Sequence, residues 1–252
     1  MLKESLKNKT VLVTGASSGI GRDVAIFLSE LGAKVIITAR DVPRLNETFS
    51  LLIGGGHRQI IADISNVNNI SVLMDELFFQ CGALDGLIHC AGIQHTMPVQ
   101  IISESTFDKL FNINVKSALF LVKCLRKKGR YNINGSSVVF LSSTAALTGQ
   151  AGISEYSASK VALQGLARSL SIELAKQKIR VNCISPGVVE TKMLSEFQQG
   201  LTSEQFKKIQ DRHPLGIGKT SDIVGPIAFL LSDYSSWITG TNLNVDGGYT
   251  IG

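Results

Sequence analysis

Residues Thr10-Val11-Leu12-Val13-Thr14-Gly15-Ala16-Ser17-Ser18-Gly19-Ile20-Gly21 decide how the rest of the chain is read. Val11-Leu12-Val13 is a short apolar run, as expected of a strand buried on both faces. It ends in a turn with glycines at 15, 19 and 21. Beyond the turn, Ile20, Val24, Phe27, Leu28 and Leu31 recur at helical spacing, and Gly32 stops the pattern. Strand, glycine turn and helix in that order make a cradle for a pyrophosphate. The glycines let backbone approach the anion, and the helix N-terminus offers N–H donors and positive potential. The spacing is Gly-x-x-x-Gly-x-Gly, not Gly-x-Gly-x-x-Gly. The competing reading is a turn with a purely structural role.

The same alternation continues outward. Lys34 to Thr38, Arg58 to Ala62, Leu84 to His89, Val138 to Leu141, Ile179 to Ile184 and Asn242 to Val245 read as further strands. Helical patterns lie between them; in one, Leu163, Leu166, Leu170 and Leu174 share a face. Continuous apolar strands alternating with helices predict an α/β fold with a parallel sheet covered on both faces. No linker or repeat interrupts the pattern, so residues 1–252 are expected to form a single domain. The least regular stretch, Val188 to Thr220, is long for a connection and is expected to be a substrate loop.

Composition narrows the function classes. Of the 252 residues, 44% are hydrophobic and 18% charged, which excludes a disordered chain or a coiled coil. The net charge is +5, yet the densest basic run is only Arg126-Lys127-Lys128-Gly129-Arg130, followed by Tyr131. That reads as a solvated helix end or a docking patch for an acidic partner, and not as a nucleic-acid stripe. Cys81, Cys90, Cys124 and Cys183 lack zinc or redox spacing, so free thiols in a reducing cytoplasm are expected. His57, His89, His95 and His213 show no ligand spacing, and no metal is expected. No apolar run reaches the roughly 20 residues that a membrane span needs, and the N-terminal run is too short for a secretory signal.

Two further features carry chemistry. Tyr156 and Lys160 stand four apart, on one helix face. An ammonium beside a phenol favours the phenolate. Taken alone, the pair is equally a surface Tyr and Lys. Ser142-Ser143 follows the strand Val138 to Leu141, at the strand end where open α/β sheets bind ligands. An ordinary turn serine is the competing reading.

Taken in order, these motifs resemble the short-chain dehydrogenase/reductase family over nearly the whole chain. Gly15, Gly19 and Gly21 match its cofactor turn, and Ala91-Gly92 matches the end of its Asn-Asn-Ala-Gly motif. Asn114, Ser143, Tyr156 and Lys160 match its catalytic tetrad, with thirteen residues from Ser143 to Tyr156. Pro186-Gly187-Val188-Val189-Glu190-Thr191 resembles the segment that holds the nicotinamide, and Asp246-Gly247-Gly248 the C-terminal signature. One departure stands out: His89-Cys90 replaces the usual pair of asparagines, so hydrogen bonding between the central strands must differ.

The resemblance implies a Rossmann-type doubly wound parallel sheet of seven strands and an NAD(P)-dependent oxidoreductase. Ser17, Ser18 and Ile20 join the three glycines at the cofactor. Asp63 and Ile64 serve the adenine, Cys90, Ala91 and Gly92 the cofactor wall, and Pro186, Gly187, Val189 and Thr191 the nicotinamide. Tyr156 is the proton donor or acceptor and Ser143 a donor to the substrate oxygen. Lys160 lowers the Tyr156 pKa and binds the ribose; Asn114 holds a water linking Lys160 to solvent.

Matching the second strand puts Ala39 where NAD-using members carry Asp, and Arg40 follows. NADP(H) is therefore preferred, with NAD(H) possible and Asp41 a competing ribose partner. Among members, the chain looks closest to 3-oxoacyl-acyl-carrier-protein reductases. Their basic carrier-docking positions fall on Asn134 and Gln177 here, with Lys127, Lys128, Arg130, Lys176 and Lys178 nearby. A reductase or dehydrogenase of a sugar, hydroxysteroid or other small ketone is the alternative substrate reading. A catalytically silent nucleotide sensor is the alternative from another class. Partners are a small-molecule or carrier-bound carbonyl compound and further copies in a homotetramer. Helices around Ala118–Arg126 and Val161–Leu174 and the strand Leu243–Val245 form its interfaces. Phe120, Leu121, Leu125, Ala162, Leu166 and Ser169 suit close helix packing, with the monomer's own core as the competing role. Val188–His213, with Met193, Leu194, Phe197, Leu201, Phe206 and Ile209 as its apolar face, is expected to close over the ligand or to be an ordinary amphipathic helix pair.

Overall fold

The apolar run after an N-terminal helix, α1 (Leu2–Leu6), forms β1 (Thr10–Thr14), with Val11, Leu12, Val13 and Thr14 all buried. The computed structural model describes residues 2–198 and 202–251. From β1 the chain runs through α2 (Gly19–Glu30), β2 (Lys34–Ala39), α3 (Val42–Ser50), β3 (Arg58–Ile61), α4 (Val67–Cys81) and β4 (Gly86–His89). It continues through α5 (Glu104–Phe111), α6 (Ser117–Leu125), β5 (Ser136–Leu141), α7 (Ser154–Leu174) and β6 (Ile179–Pro186). The last part holds α8 (Lys192–Gln198), α9 (Ser203–Asp211), α10 (Thr220–Leu231) and β7 (Asn242–Val245).

The strands form one parallel seven-stranded sheet in the order β3-β2-β1-β4-β5-β6-β7. Side chains alternate between its faces, as the pleat requires. Leu12, Ile36, Leu87, Val138, Phe140 and Val181 pack with leucines of α4, α6 and α7. Val13, Val35, Ile37, Ile88, Val139 and Ile184 pack with α2 and α10. Both faces are thus covered over the central strands, which is why β1, β2 and β4 are largely apolar, while the edge strands β3 and β7 carry polar residues.

The chain winds from β1 to β3 on one side and returns to β4 on the other. The two halves part between β1 and β4, so a crevice opens at the carboxyl ends of these strands. The fourth strand begins at Gly86, two residues later than its apolar run; Leu84 makes only a bridge to Tyr131. A Cβ at Gly86 would lie 2.9 Å from the end of the Leu231 side chain, so glycine lets α10 pack here without displacing it.

Residues 188–220 are more regular than an irregular connection and match the alternative reading of a helix pair. They contain α8 and α9, and Thr202 and Gln205 cap α9 reciprocally at 3.2 and 2.8 Å. Leu201 lies outside the described residues. Among the described residues, no helix is long and apolar enough to cross a membrane.

Candidate active site

The glycine turn after β1 is set by backbone approaching backbone. Gly15 has φ +67°, and a Cβ there would lie 2.7 Å from the Ala91 backbone. A Cβ at Gly21 would run into the Gly15 carbonyl. The turn therefore lies flat against the end of β4 and leaves the N-terminus of α2 open. A cleft of ≈ 460 Å³ begins there and runs across the sheet to Tyr156. It fits a dinucleotide: a side-chain-free cradle at a helix N-terminus, with polar groups at both ends.

One end is basic. Arg40 and Arg44 both line the cleft. Asp41, the competing ribose partner, lines the cleft beside them. Its carboxylate accepts the Arg44 N–H at 3.1 Å, capping α3, and pairs with Arg44 Nε at 3.4 Å. Ala62, Asp63 and Ile64 form the wall beyond, where Asp63 accepts the Ser65 N–H at 3.0 Å.

The other end holds Ser143, Tyr156 and Lys160. Ser143 lies two residues past β5, and its Oγ accepts the Ala145 N–H at 3.1 Å while bonding the Tyr156 phenol. Lys160 is buried one helical turn beyond Tyr156. Its Nζ donates to the Leu141 carbonyl at 2.7 Å and lies 5.4 Å from the Tyr156 ring centre. Burial pushes the Tyr156 phenol up to about 12 and the Lys160 ammonium down to about 8. The expected lowering of the Tyr156 pKa by Lys160 is therefore not what this arrangement produces. Desolvation outweighs the Ser143 hydrogen bond and keeps the phenol protonated. Ser142 is not a second Ser143: its Oγ donates to the Lys160 carbonyl at 3.0 Å, inside the core.

Every other predicted cofactor residue lines this cleft: Gly15, Ser17, Ser18, Gly19, Ile20 and Gly21 at the turn; Cys90, Ala91 and Gly92 after β4; Pro186, Gly187, Val189 and Thr191 after β6. Asn114 does not. It is fully buried behind the wall, in a turn of π-helix (Asn112–Lys116) joining α5 to α6. Its Oδ1 accepts the Ile93 N–H at 2.9 Å, and its Nδ2 donates to the Ile93 carbonyl and Ser159 Oγ, both at 3.0 Å. With its amide so engaged, the Asn114 side chain clamps the Ile93 strip.

Sequence reading also missed residues that line the cleft. Arg44 is one helical turn into α3; Gln94 lies two residues past Gly92, and Tyr249 directly follows Asp246-Gly247-Gly248. Their nearness to recognised motifs was the available signal. Met193, Leu194 and Phe197 of the expected lid do line the cleft.

His89 resolves the departure at the asparagine pair. It is buried between Thr14 and Ser117, with Nδ1 3.0 Å from Thr14 Oγ1 and Nε2 3.2 Å from Ser117 Oγ. Ser117 Oγ gives its own proton to the Ile113 carbonyl at 2.5 Å, so it must accept from Nε2–H. Nδ1 then accepts from Thr14, whose oxygen also accepts the Ala91 N–H at 3.3 Å. One directed chain thus runs from the π-turn through His89 to the cofactor wall. Burial holds the imidazole neutral by lowering its pKa to about 3. His89→Ala leaves Thr14 and Ser117 without their partner and opens a cavity, at a cost of roughly 2–4 kcal/mol. In a protein of this size the melting temperature should fall by roughly 5–15 °C. A fall under about 2 °C by calorimetry would contradict this role.

Comparison with known proteins agrees with this geometry. Residues 15–250 match the family model described as Enoyl-(Acyl carrier protein) reductase. The chain is 34% identical over 244 residues to the 3-oxoacyl-acyl-carrier-protein reductase of Rickettsia felis, covering 96% of this chain and 97% of that one. It is 31% identical over 249 residues to the 2-dehydro-3-deoxy-D-gluconate 5-dehydrogenase of Escherichia coli, covering 97% and 96%. A putative 2-deoxy-D-gluconate 3-dehydrogenase from Agrobacterium tumefaciens, solved with bound NADP, superposes with a TM-score of 0.87 at 30% identity, covering 97% of each chain. With a glycine cradle at one end of the cleft, a Ser-Tyr-Lys cluster at the other and relatives along its whole length, this chain belongs to the short-chain dehydrogenase/reductase family of oxidoreductases.

Proposed function

We propose that this chain is an NADP(H)-dependent reductase that converts a carbonyl to an alcohol, with 3-oxoacyl groups on a carrier protein as substrate. The observation that carries the chemistry is the Tyr156 phenol, held beside Ser143 and Lys160 in one cleft with the glycine cradle. When bound, the reduced nicotinamide supplies the hydride that forms the new C–H bond. Ser143 bonds the carbonyl oxygen and steadies its growing negative charge. Tyr156 gives its proton to that oxygen as the C=O π bond breaks, and the Lys160 ammonium stabilises the phenolate left behind.

That last role sets a pH dependence. Lys160 is charged below about 8 and neutral above it. The reductive kcat/KM should be level in mildly acid and neutral buffer and fall as pH rises past about 8. A profile still level two units higher would remove Lys160 from the mechanism.

Support for NADP(H) comes from Arg40 and Arg44. A guanidinium offers a planar fork of donors suited to a 2′-phosphate, and Asp41 is occupied in capping α3. One charge-assisted contact is worth ~1.5–3 kcal/mol, or roughly tenfold to a hundredfold in preference. Arg40→Ala should lower the ratio of kcat/KM for NADPH over NADH by about that factor. A wild-type ratio favouring NADH, or one unchanged by the substitution, would refute the assignment.

Support for a carrier-bound substrate comes from the basic residues at the ends of α6 and α7. Gln177 Nε2 donates to the Arg126 carbonyl at 3.2 Å and joins the two ends. Exposed Arg126, Lys127, Lys128, Lys176 and Lys178 thus form one patch suited to an acidic carrier. Arg130 is not part of it: it pairs with Asp75 at 2.5 Å and stacks on Phe78. The second reading, a dehydrogenase of a free sugar or hydroxy acid, draws on Gln94, Thr148, Gln150 and Lys192, which line the cleft. Turnover on acetoacetyl-carrier protein should exceed that on free ketones and sugars; the reverse order would favour the second reading.

We also propose a homotetramer. Leu121 and Leu125 belong to the monomer's own core, so they drop out of the interface expected from the sequence. Ile172 on α7 and Trp237 just before β7 are 81% and 98% exposed, on the segments expected to meet other copies. Light scattering should give about four chain masses; a single-chain mass would overturn the assembly.

A further inference from the structure

His213 plays no part in the chemistry above, yet it is 4% exposed and bonded at both ring nitrogens. The Val188 N–H donates to Nε2 at 3.2 Å, and Nδ1 lies 2.7 Å from the Ile209 carbonyl. A backbone N–H only donates and a carbonyl only accepts, so the ring must be neutral with its proton on Nδ1. The ring also stacks on Tyr249 at 4.4 Å and 20°, and Arg212 lies over the same tyrosine at 4.5 Å. His213 therefore touches three segments at once: the end of α9 through Ile209, the strip after β6 through Val188, and the C-terminal turn through Tyr249. Val188 and Tyr249 both line the cleft.

The two polar groups of Val188 are both fixed from behind. Its N–H goes to His213, and its carbonyl accepts the Gly218 N–H at 3.0 Å. Gly187 N–H is tied to the Val245 carbonyl at 3.1 Å, and Glu190 N–H to the Gly218 carbonyl at 2.8 Å. The peptide planes of residues 187–190 are thus held from several sides, with His213 on the Val188 N–H and Thr191 Oγ1 donating to the Val189 carbonyl at 3.3 Å. Replacing the ring with an apolar side chain would strand the buried Val188 N–H and remove the surface on which Tyr249 rests.

We propose that His213 is a positioning residue for the nicotinamide end of the cleft, which it couples to α9. It holds the 187–190 strip and the Tyr249 ring at their places in the cleft wall, while the adenosine end is built from other segments. The proposal rests on the reading of this cleft as a nicotinamide-dinucleotide site.

The test is calorimetric titration of the full chain with two ligands: NADPH, and 2′-phospho-ADP-ribose, which lacks the nicotinamide. His213→Leu should weaken NADPH about tenfold and leave 2′-phospho-ADP-ribose within about twofold of wild type. His213→Gln, which restores a donor and an acceptor, should recover most of the loss. Equal weakening of both ligands, or no weakening of NADPH, would overturn the assignment while leaving the dinucleotide site standing. Wild-type protein that binds neither ligand would overturn both. Should His213→Leu fail to fold, hydrogen exchange of wild type decides. Exchange at residues 205–213 should slow with NADPH and not with 2′-phospho-ADP-ribose; equal slowing by both would refute the coupling.

Discussion

There is no room for a side chain between Gly15 and Ala91, and the rest of the site depends on that contact. With 2.7 Å from a notional Cβ at Gly15 to the Ala91 backbone, the first turn lies against the end of β4. Gly21 extends the same constraint to α2, because its Cα faces the Gly15 carbonyl. The helix N-terminus, the end of β1 and the end of β4 are therefore fixed relative to one another before any ligand arrives. The crevice at the sheet's switch point takes its shape from this fit.

Against this floor, the reacting side chains are placed by burial more than by charge. Tyr156 and Lys160 share one face of α7, and the Leu141 carbonyl holds the ammonium. Desolvation moves their pKa values in opposite directions, up for the phenol and down for the ammonium. The second layer is made of neutral groups. His89 bonds through both ring nitrogens and Asn114 through both ends of its amide, and a neutral imidazole does this without adding a charge next to Lys160.

The sheet was legible in the sequence because its central strands are apolar on both faces and even the edge strands keep short apolar stretches. Seven runs gave seven strands, with errors of one or two residues at the ends, as at Gly86. The glycine turn and the Ser143, Tyr156 and Lys160 positions were legible because local spacing determines them. What sequence could not reveal depends on long-range burial. The direction of the Tyr156 shift follows from how deeply α7 is covered, and the inward turn of the Asn114 amide follows from the position of Ile93. That Asp41 caps α3 while lining the cleft depends on where α3 begins. Residues 188–220 looked irregular because α8 and α9 are short; α9 is also strongly polar and has no buried residue to give it a clear apolar face.

The central claim is that one cleft binds a nicotinamide cofactor and that the Tyr156 phenol supplies the proton there. Tyr156→Phe removes a single hydroxyl and keeps the ring that fills the site. Titration with NADPH and turnover on a carbonyl panel, measured on the same preparation, separate binding from chemistry. NADPH affinity within about threefold of wild type, with turnover reduced at least a thousandfold, is the expected result. Turnover above about a tenth of the wild-type rate would contradict it, because the proton would then come from another group.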